Sequence, residues 1–156
     1  MLLAANPLAA FNPHSGFSIG GAAVLETANT GGMVEIGFPL VESEKLSIRN
    51  HIMITGFGYE SGGVLALGEK ISIGGYTERG MRPYAFIEAH MGLFKNDGKD
   101  FFALPLYFDG KGGGGIDIYA SESLSFFVEV GGGASFYGPD VTGTAHLAAG
   151  FRSYLK

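Results

Sequence analysis

Residues 112–133 read GGGGIDIYASESLSFFVEVGGG. Two stretches within them alternate with a period of two. In the first, Ile116 and Ile118 stand opposite Gly115, Asp117 and Tyr119. In the second, Leu124, Phe126, Val128 and Val130 stand opposite Ser125, Phe127, Glu129 and Gly131. Successive side chains of a β-strand point to opposite faces, so the pattern is that of two strands and not of a helix. Ser121-Glu122-Ser123 between them is turn chemistry. The stretch therefore reads as a hairpin with unlike faces. One face is aliphatic and aromatic, and the other carries one acid per strand among small residues.

Outward from this hairpin the same pattern recurs. Phe17, Ile19, Gly21, Ala23 and Leu25 alternate with Ser18, Gly20, Ala22, Val24 and Glu26. Val34, Ile36, Phe38 and Leu40 stand opposite Glu35 and Gly37, and Leu46, Ile48, Ile52 and Ile54 opposite Ser47, Arg49, His51 and Thr55. Leu65, Leu67, Ile71 and Ile73 stand opposite Gly68, Lys70 and Ser72, with Glu69 on the apolar face against the pattern. Ala85, Ile87, Ala89, Met91 and Leu93 stand opposite Arg82, Tyr84, Phe86, Glu88 and His90. Residues 94–112 read as a long connection. The last stretch sets Ala145, Leu147, Ala149 and Phe151 against Thr144, His146, Ala148, Gly150 and Arg152. An even number of strands, eight, each about ten residues long, predicts an all-β fold: a closed antiparallel up-and-down transmembrane barrel.

Composition narrows the class further. A chain of 156 residues is one domain, taken as 11–156, preceded at 1–10 by MLLAANPLAA, which reads as the tail of a secretory signal. Glycine is 27 residues, about one in six, without the G-X-Y period of collagen. Hydrophobic residues at 46% exclude a disordered linker. There is no cysteine, hence no disulfide framework and no thiolate site. A net charge of −5 argues against a nucleic-acid binder, and no apolar run is long enough for a transmembrane helix.

The two faces decide between water and lipid outside. The polar face holds Glu35, Arg49, His51, Lys70, Arg82, Glu88, His90, Asp117, Glu129, His146 and Arg152. It is thinly charged, with acids and bases about equal, and diluted by Gly, Ala, Ser and Thr. A water-facing surface should be richer in mixed charge. A narrow interior should hold few charges, paired, among small residues. The polar face is therefore assigned to the lumen and the aliphatic face to lipid. Two aromatic girdles are expected, Phe17, Phe38, Tyr76, Phe151 and Tyr154 at one rim and Phe57, Tyr59, Phe94, Phe136 and Tyr137 at the other.

The chain resembles the small eight-stranded outer-membrane barrels of the OmpA/OmpX-like superfamily. Gly112 to Gly133 is similar to that family's glycine-rich strand, short polar turn and strand with one inward acid. Pro83-Tyr84 and Ala149-Gly150-Phe151-Arg152 are similar as well. Those barrels usually end in an aromatic residue, whereas this chain ends Tyr154-Leu155-Lys156. The resemblance implies a monomer in the bacterial outer membrane, with membrane lipid and lipopolysaccharide as partners. A surface or host protein would meet the 94–112 connection through Lys95, Lys99, Phe101, Phe102, Tyr107 and Phe108. The expected role is structural or surface-interacting, non-catalytic, with a plugged interior.

No catalytic residue, metal site or cofactor is expected. Gly110, Gly112 and Gly115 match G-x-G-x-x-G, but a strand follows them and not the helix that would hold a pyrophosphate. His51, His90 and His146 share the polar face and read as members of the internal network. Some barrels of this size modify lipid A with a His and a Ser two apart on one face. His146 is followed by Leu147-Ala148, so that serine is missing. The alternatives are a soluble or periplasmic barrel holding an apolar ligand, a lipid A-modifying enzyme, and a narrow pore.

Overall fold

The computed structural model describes residues 16–27, 29–43, 45–59, 62–77, 79–96 and 107–155. Eight strands follow in chain order: β1 (Ser18–Glu26), β2 (Asn29–Glu42), β3 (Ser47–Tyr59), β4 (Gly62–Gly74), β5 (Met81–Asn96), β6 (Tyr107–Ser121), β7 (Leu124–Tyr137) and β8 (Asp140–Tyr154). Each pairs antiparallel with the next, and β8 pairs with β1 from Ser18↔Tyr154 to Glu26↔His146. The sheet is thus a closed barrel without an edge. Closure satisfies every ladder internally, as hydrocarbon requires.

The alternation sets the two surfaces. Val34, Ile36, Ile52, Ile54, Ile73, Ile87, Val128, Val130 and Phe151 point outward and are exposed, while the charged partners in each strand point into the lumen and are buried. A soluble barrel has the opposite arrangement. The outer surface is built to meet lipid, at roughly 25 cal/mol for each Å² of apolar area kept from water. Away from the strand ends, Glu69 is the one charge that the described strands turn outward, and Asn50 donates to its carboxylate at 2.6 Å.

Glycine in β6 makes room for aromatic rings in β5. Tyr84 pairs with Gly115 and Phe86 with Gly113. A Cβ at Gly115 would sit 2.6 Å from the Tyr84 ring, and one at Gly113 2.9 Å from the Phe86 ring. Both rings lie across the lumen in space that any larger residue would take.

The strand boundaries correct one expectation. The connection between β5 and β6 is not 94–112, because β5 runs to Asn96 and β6 begins at Tyr107. Tyr107 and Phe108 are strand residues. Phe108 faces outward, and the Tyr107 hydroxyl turns in to Asp109 at 2.6 Å. Lys99, Phe101 and Phe102 lie outside the described residues, as do residues 1–10, Lys156 and the side chain of Lys95.

The girdles need correction too. Tyr154 and Phe57 are buried inside the lumen, because they share the parity of Arg152 and Thr55. Tyr76 is half-buried and bonds to Glu42. Phe17 and Phe38 do meet at the rim, with ring centroids 6.4 Å apart, and Phe151 is exposed on the outer face opposite Gly21. Phe136 faces outward toward the other rim. The side chains of Tyr59, Phe94 and Tyr137 lie outside the described ones.

Candidate functional site

The lumen is the candidate site, and its polar groups stack in three layers. The first lies at the end of the barrel that carries Ser18 and Tyr154, here the terminal end. Arg49 donates to Glu42 at 3.2 Å and to the Gly16 carbonyl at 2.8 Å, and its guanidinium lies 5.2 Å from the Tyr154 ring centroid. Tyr76, in the turn between β4 and β5, donates to Glu42 at 2.5 Å. Burial, and then this bond to a carboxylate, push its phenol up to about 12.

The middle layer spans the lumen. Arg152 donates to Glu35, Asp117 and Glu129, the last at 3.2 Å, and stacks 3.8 Å over the Phe127 ring. Arg82 donates to Asp117 at 3.0 Å and to Ser72 at 3.0 Å. Lys70 holds both oxygens of Glu129, at 2.8 and 3.0 Å, and approaches Glu35 at 3.2 Å. Tyr84 donates to Glu129 at 2.7 Å. Three carboxylates face three cations, so the layer is neutral as well as connected. A buried ion survives only with a partner and hydrogen bonds, and each of these six has both.

The third layer, the far chamber, lies toward the other end. Asp109 binds His90 at 2.9 Å, Tyr107 at 2.6 Å and Lys111 at 3.0 Å. Lys111 also pairs with Glu26 and stands 3.8 Å from Glu88. His146 packs edge-on to Phe86, with centroids 6.0 Å apart.

All eleven lumen residues named from the sequence are buried. Glu35, Lys70, Arg82, Asp117, Glu129 and Arg152 share the middle layer, with His51 3.4 Å from Glu35. Arg49 belongs to the terminal layer, and Glu88, His90 and His146 to the far chamber. Four partners were not singled out: Glu26, Glu42, Asp109 and Lys111. The last two are spaced by two in β6, the same parity as Asp117, and that was the available signal. The G-x-G-x-x-G match lies within β6, where no helix follows it.

The described histidines all face the lumen, and none has a serine two residues away on its strand. Thr55, His90 and Asp109 do line up as hydroxyl, imidazole and carboxylate, with 3.5 Å from Oγ1 to Nε2 and 2.9 Å from Nδ1 to Oδ1. All three are buried beside Lys111, on the face turned away from lipid.

No family model matches the chain, and no curated protein does. Solved structures do match. Neisserial surface protein A aligns with a TM-score of 0.58 at 12% identity, over 89% of this chain and 96% of that one. The outer membrane enzyme PagL aligns at 0.53 and 10% identity, over 88% and 99%. The outer membrane protein OprG from Pseudomonas aeruginosa aligns at 0.51 and 11% identity, over 93% and 98%. The chain has the fold of the small eight-stranded outer-membrane barrels. A surface protein and an enzyme both use that fold, so the fold alone does not assign the activity.

Proposed function

We propose that this chain is an integral outer-membrane protein with a structural or surface-interaction role, a plugged lumen and no catalysis of its own. The observation that carries this reading is the neutral middle layer. Arg152, Arg82 and Lys70 knit β2, β4, β5, β6, β7 and β8 together across the lumen through three carboxylates. A pore would need that cross-section open. A lipid-modifying enzyme would need its reactive groups on the lipid side, and the described histidines all lie on the other. The apolar outer face supports contact with membrane lipid and lipopolysaccharide. In this reading the terminal end faces the periplasm, the end of β5 and the start of β6 face the cell exterior, and a surface or host protein would meet the barrel at that end.

The test is expression in a Gram-negative host followed by reconstitution. The protein should fractionate with the outer membrane and resist SDS unless boiled. Vesicles carrying it should hold small sugars, and lipid A from overexpressing cells should keep its mass. Extraction into buffer without detergent would overturn the membrane assignment. Sugar flux would overturn the plug, and altered lipid A acylation the non-catalytic role.

A further inference from the structure

The far chamber is more negative than its cation can answer. Glu26, Glu88 and Asp109 bring three carboxylates, and Lys111 brings one ammonium. The imidazoles of His90 and His146 are the other polar groups that face these carboxylates. The middle layer next to it sets three carboxylates against three cations, and one of those carboxylates, Glu129, reaches to the border of this chamber.

A second observation is independent of charge. His146 is buried, with its side chain 3% exposed, and neither ring nitrogen makes a hydrogen bond. Its Nδ1 stands 3.6 Å from Glu26 Oε1 and 3.9 Å from Glu88 Oε1, both too far for one. Glu88 Oε1 is likewise buried without a hydrogen bond. Buried polar atoms are nearly always satisfied, so a pair left open side by side points to a missing partner. One ligand atom from each of Glu88, Glu129 and His146 lies within 4.8 Å of the others. Glu88 and His146 keep 5% and 4% of their surface accessible, whereas Glu129, Lys70 and Asp117 keep none.

We propose that the far chamber binds one divalent transition-metal cation, with the His146 imidazole and the Glu88 carboxylate as its main ligands. Glu129 closes the protein's share from the side of the middle layer, while Glu26 stays with Lys111. One such ion would sit where three carboxylates meet a single ammonium. An imidazole joined to carboxylates selects Zn²⁺, Co²⁺ or Ni²⁺ over Mg²⁺ and Ca²⁺, which prefer oxygen alone. Ligand bonds of about 2.0–2.2 Å need the three atoms to draw together by about an ångström, a movement asked mainly of Glu88 Oε1, which makes no hydrogen bond. The bound ion would tie β5, β7 and β8 together across the lumen.

The test uses the folded full-length protein in detergent micelles, stripped with a chelator and titrated with Co²⁺. Visible absorption should saturate at one equivalent, Zn²⁺ should displace the Co²⁺, and Ca²⁺ should not. X-ray absorption of the Co²⁺-loaded protein should show imidazole nitrogen in the ligand set. Glu88→Gln and His146→Gln, checked for folding by their mobility in unboiled gels, should each weaken binding by about 100-fold or more. His14→Ala should leave it unchanged. The proposal fails if Co²⁺ does not saturate, if binding survives both lumen substitutions, or if Ca²⁺ competes as well as Zn²⁺. It also fails if the wild-type spectrum lacks imidazole, a result that needs no variant to fold.

Discussion

Val128 and Glu129 are neighbours on β7 that face opposite media. Val128 is 47% exposed on the outer surface, and Glu129 is fully buried in the lumen. Val128 is the fifth residue of its strand, counted from Leu124 at the terminal end. Four steps of about 3.4 Å along a strand tilted by about 40° raise it roughly 10 Å above that end. An apolar band about 25 Å tall has its midplane near 12 Å, so Val128 sits close to the centre of the bilayer. Replacing it by arginine should cost about 2–4 kcal/mol there. That is roughly a 30- to 700-fold change in the folding equilibrium, since about 1.4 kcal/mol is tenfold. In a water-facing barrel the same exposed position would tolerate arginine within about 0.5 kcal/mol. Reversible urea unfolding in phospholipid vesicles, followed by the compact band on unboiled gels, measures the difference. Val141→Arg, also exposed but one residue from the start of β8, is the control and should cost about 0–1 kcal/mol. If Val128→Arg and Val141→Arg cost the same small amount, the outer face does not meet hydrocarbon.

Arg152→Met should destabilise the barrel by about 3–5 kcal/mol, because Glu35, Asp117 and Glu129 all lose a buried partner. A loss below about 1 kcal/mol in the same urea assay would show that the middle layer is not a coupled network. Within β6, Gly113→Ala should cost about 1–3 kcal/mol, since the new methyl meets the β7 backbone and the Phe86 ring. Gly110→Ala meets nothing within 4 Å and should stay within about 0.5 kcal/mol, so equal effects would refute the steric argument. Tyr76 has its phenol raised from 10.0 to about 12, so what its protonated form contributes is fully present below pH 10 and lost as pH rises through 12. The stability gap between wild type and Tyr76→Phe should hold to pH 10 and shrink above it, and a gap that is flat across that range would refute the Glu42 bond.

Parity carried most of what was legible in the sequence. In a strand each residue has only two directions, so one aliphatic face fixes the other, and all eleven polar-face residues lie in the lumen. The rule failed where side chains were too small to show it. Gly110 and Gly112 to Gly115 erase the contrast between faces in β6, so Asp109 and Lys111 looked like the charges of a loop. Tyr154 and Phe57 show a different failure. Aromatic residues near strand ends suit a membrane rim, but parity with Arg152 and Thr55 turns both inward, and parity decides. Glu69 keeps its outward place because Asn50, on the neighbouring strand, is there to bond it. The layering of the lumen could not be read, because it depends on how far each strand is staggered against its neighbours. The heights of Glu26 and Lys111 come from that stagger and not from the local pattern.

The seam between β1 and β8 joins the first strand to the last over nine paired positions. Neither strand has its full set of partners until the other arrives, and in hydrocarbon there is no water to stand in for them. A chain cut short before residue 140 would present two raw edges, the free sides of β1 and β7, and could not settle in the membrane by halves. Closure therefore waits for β8, and the seam is the contact that reports whether every strand of the barrel is present.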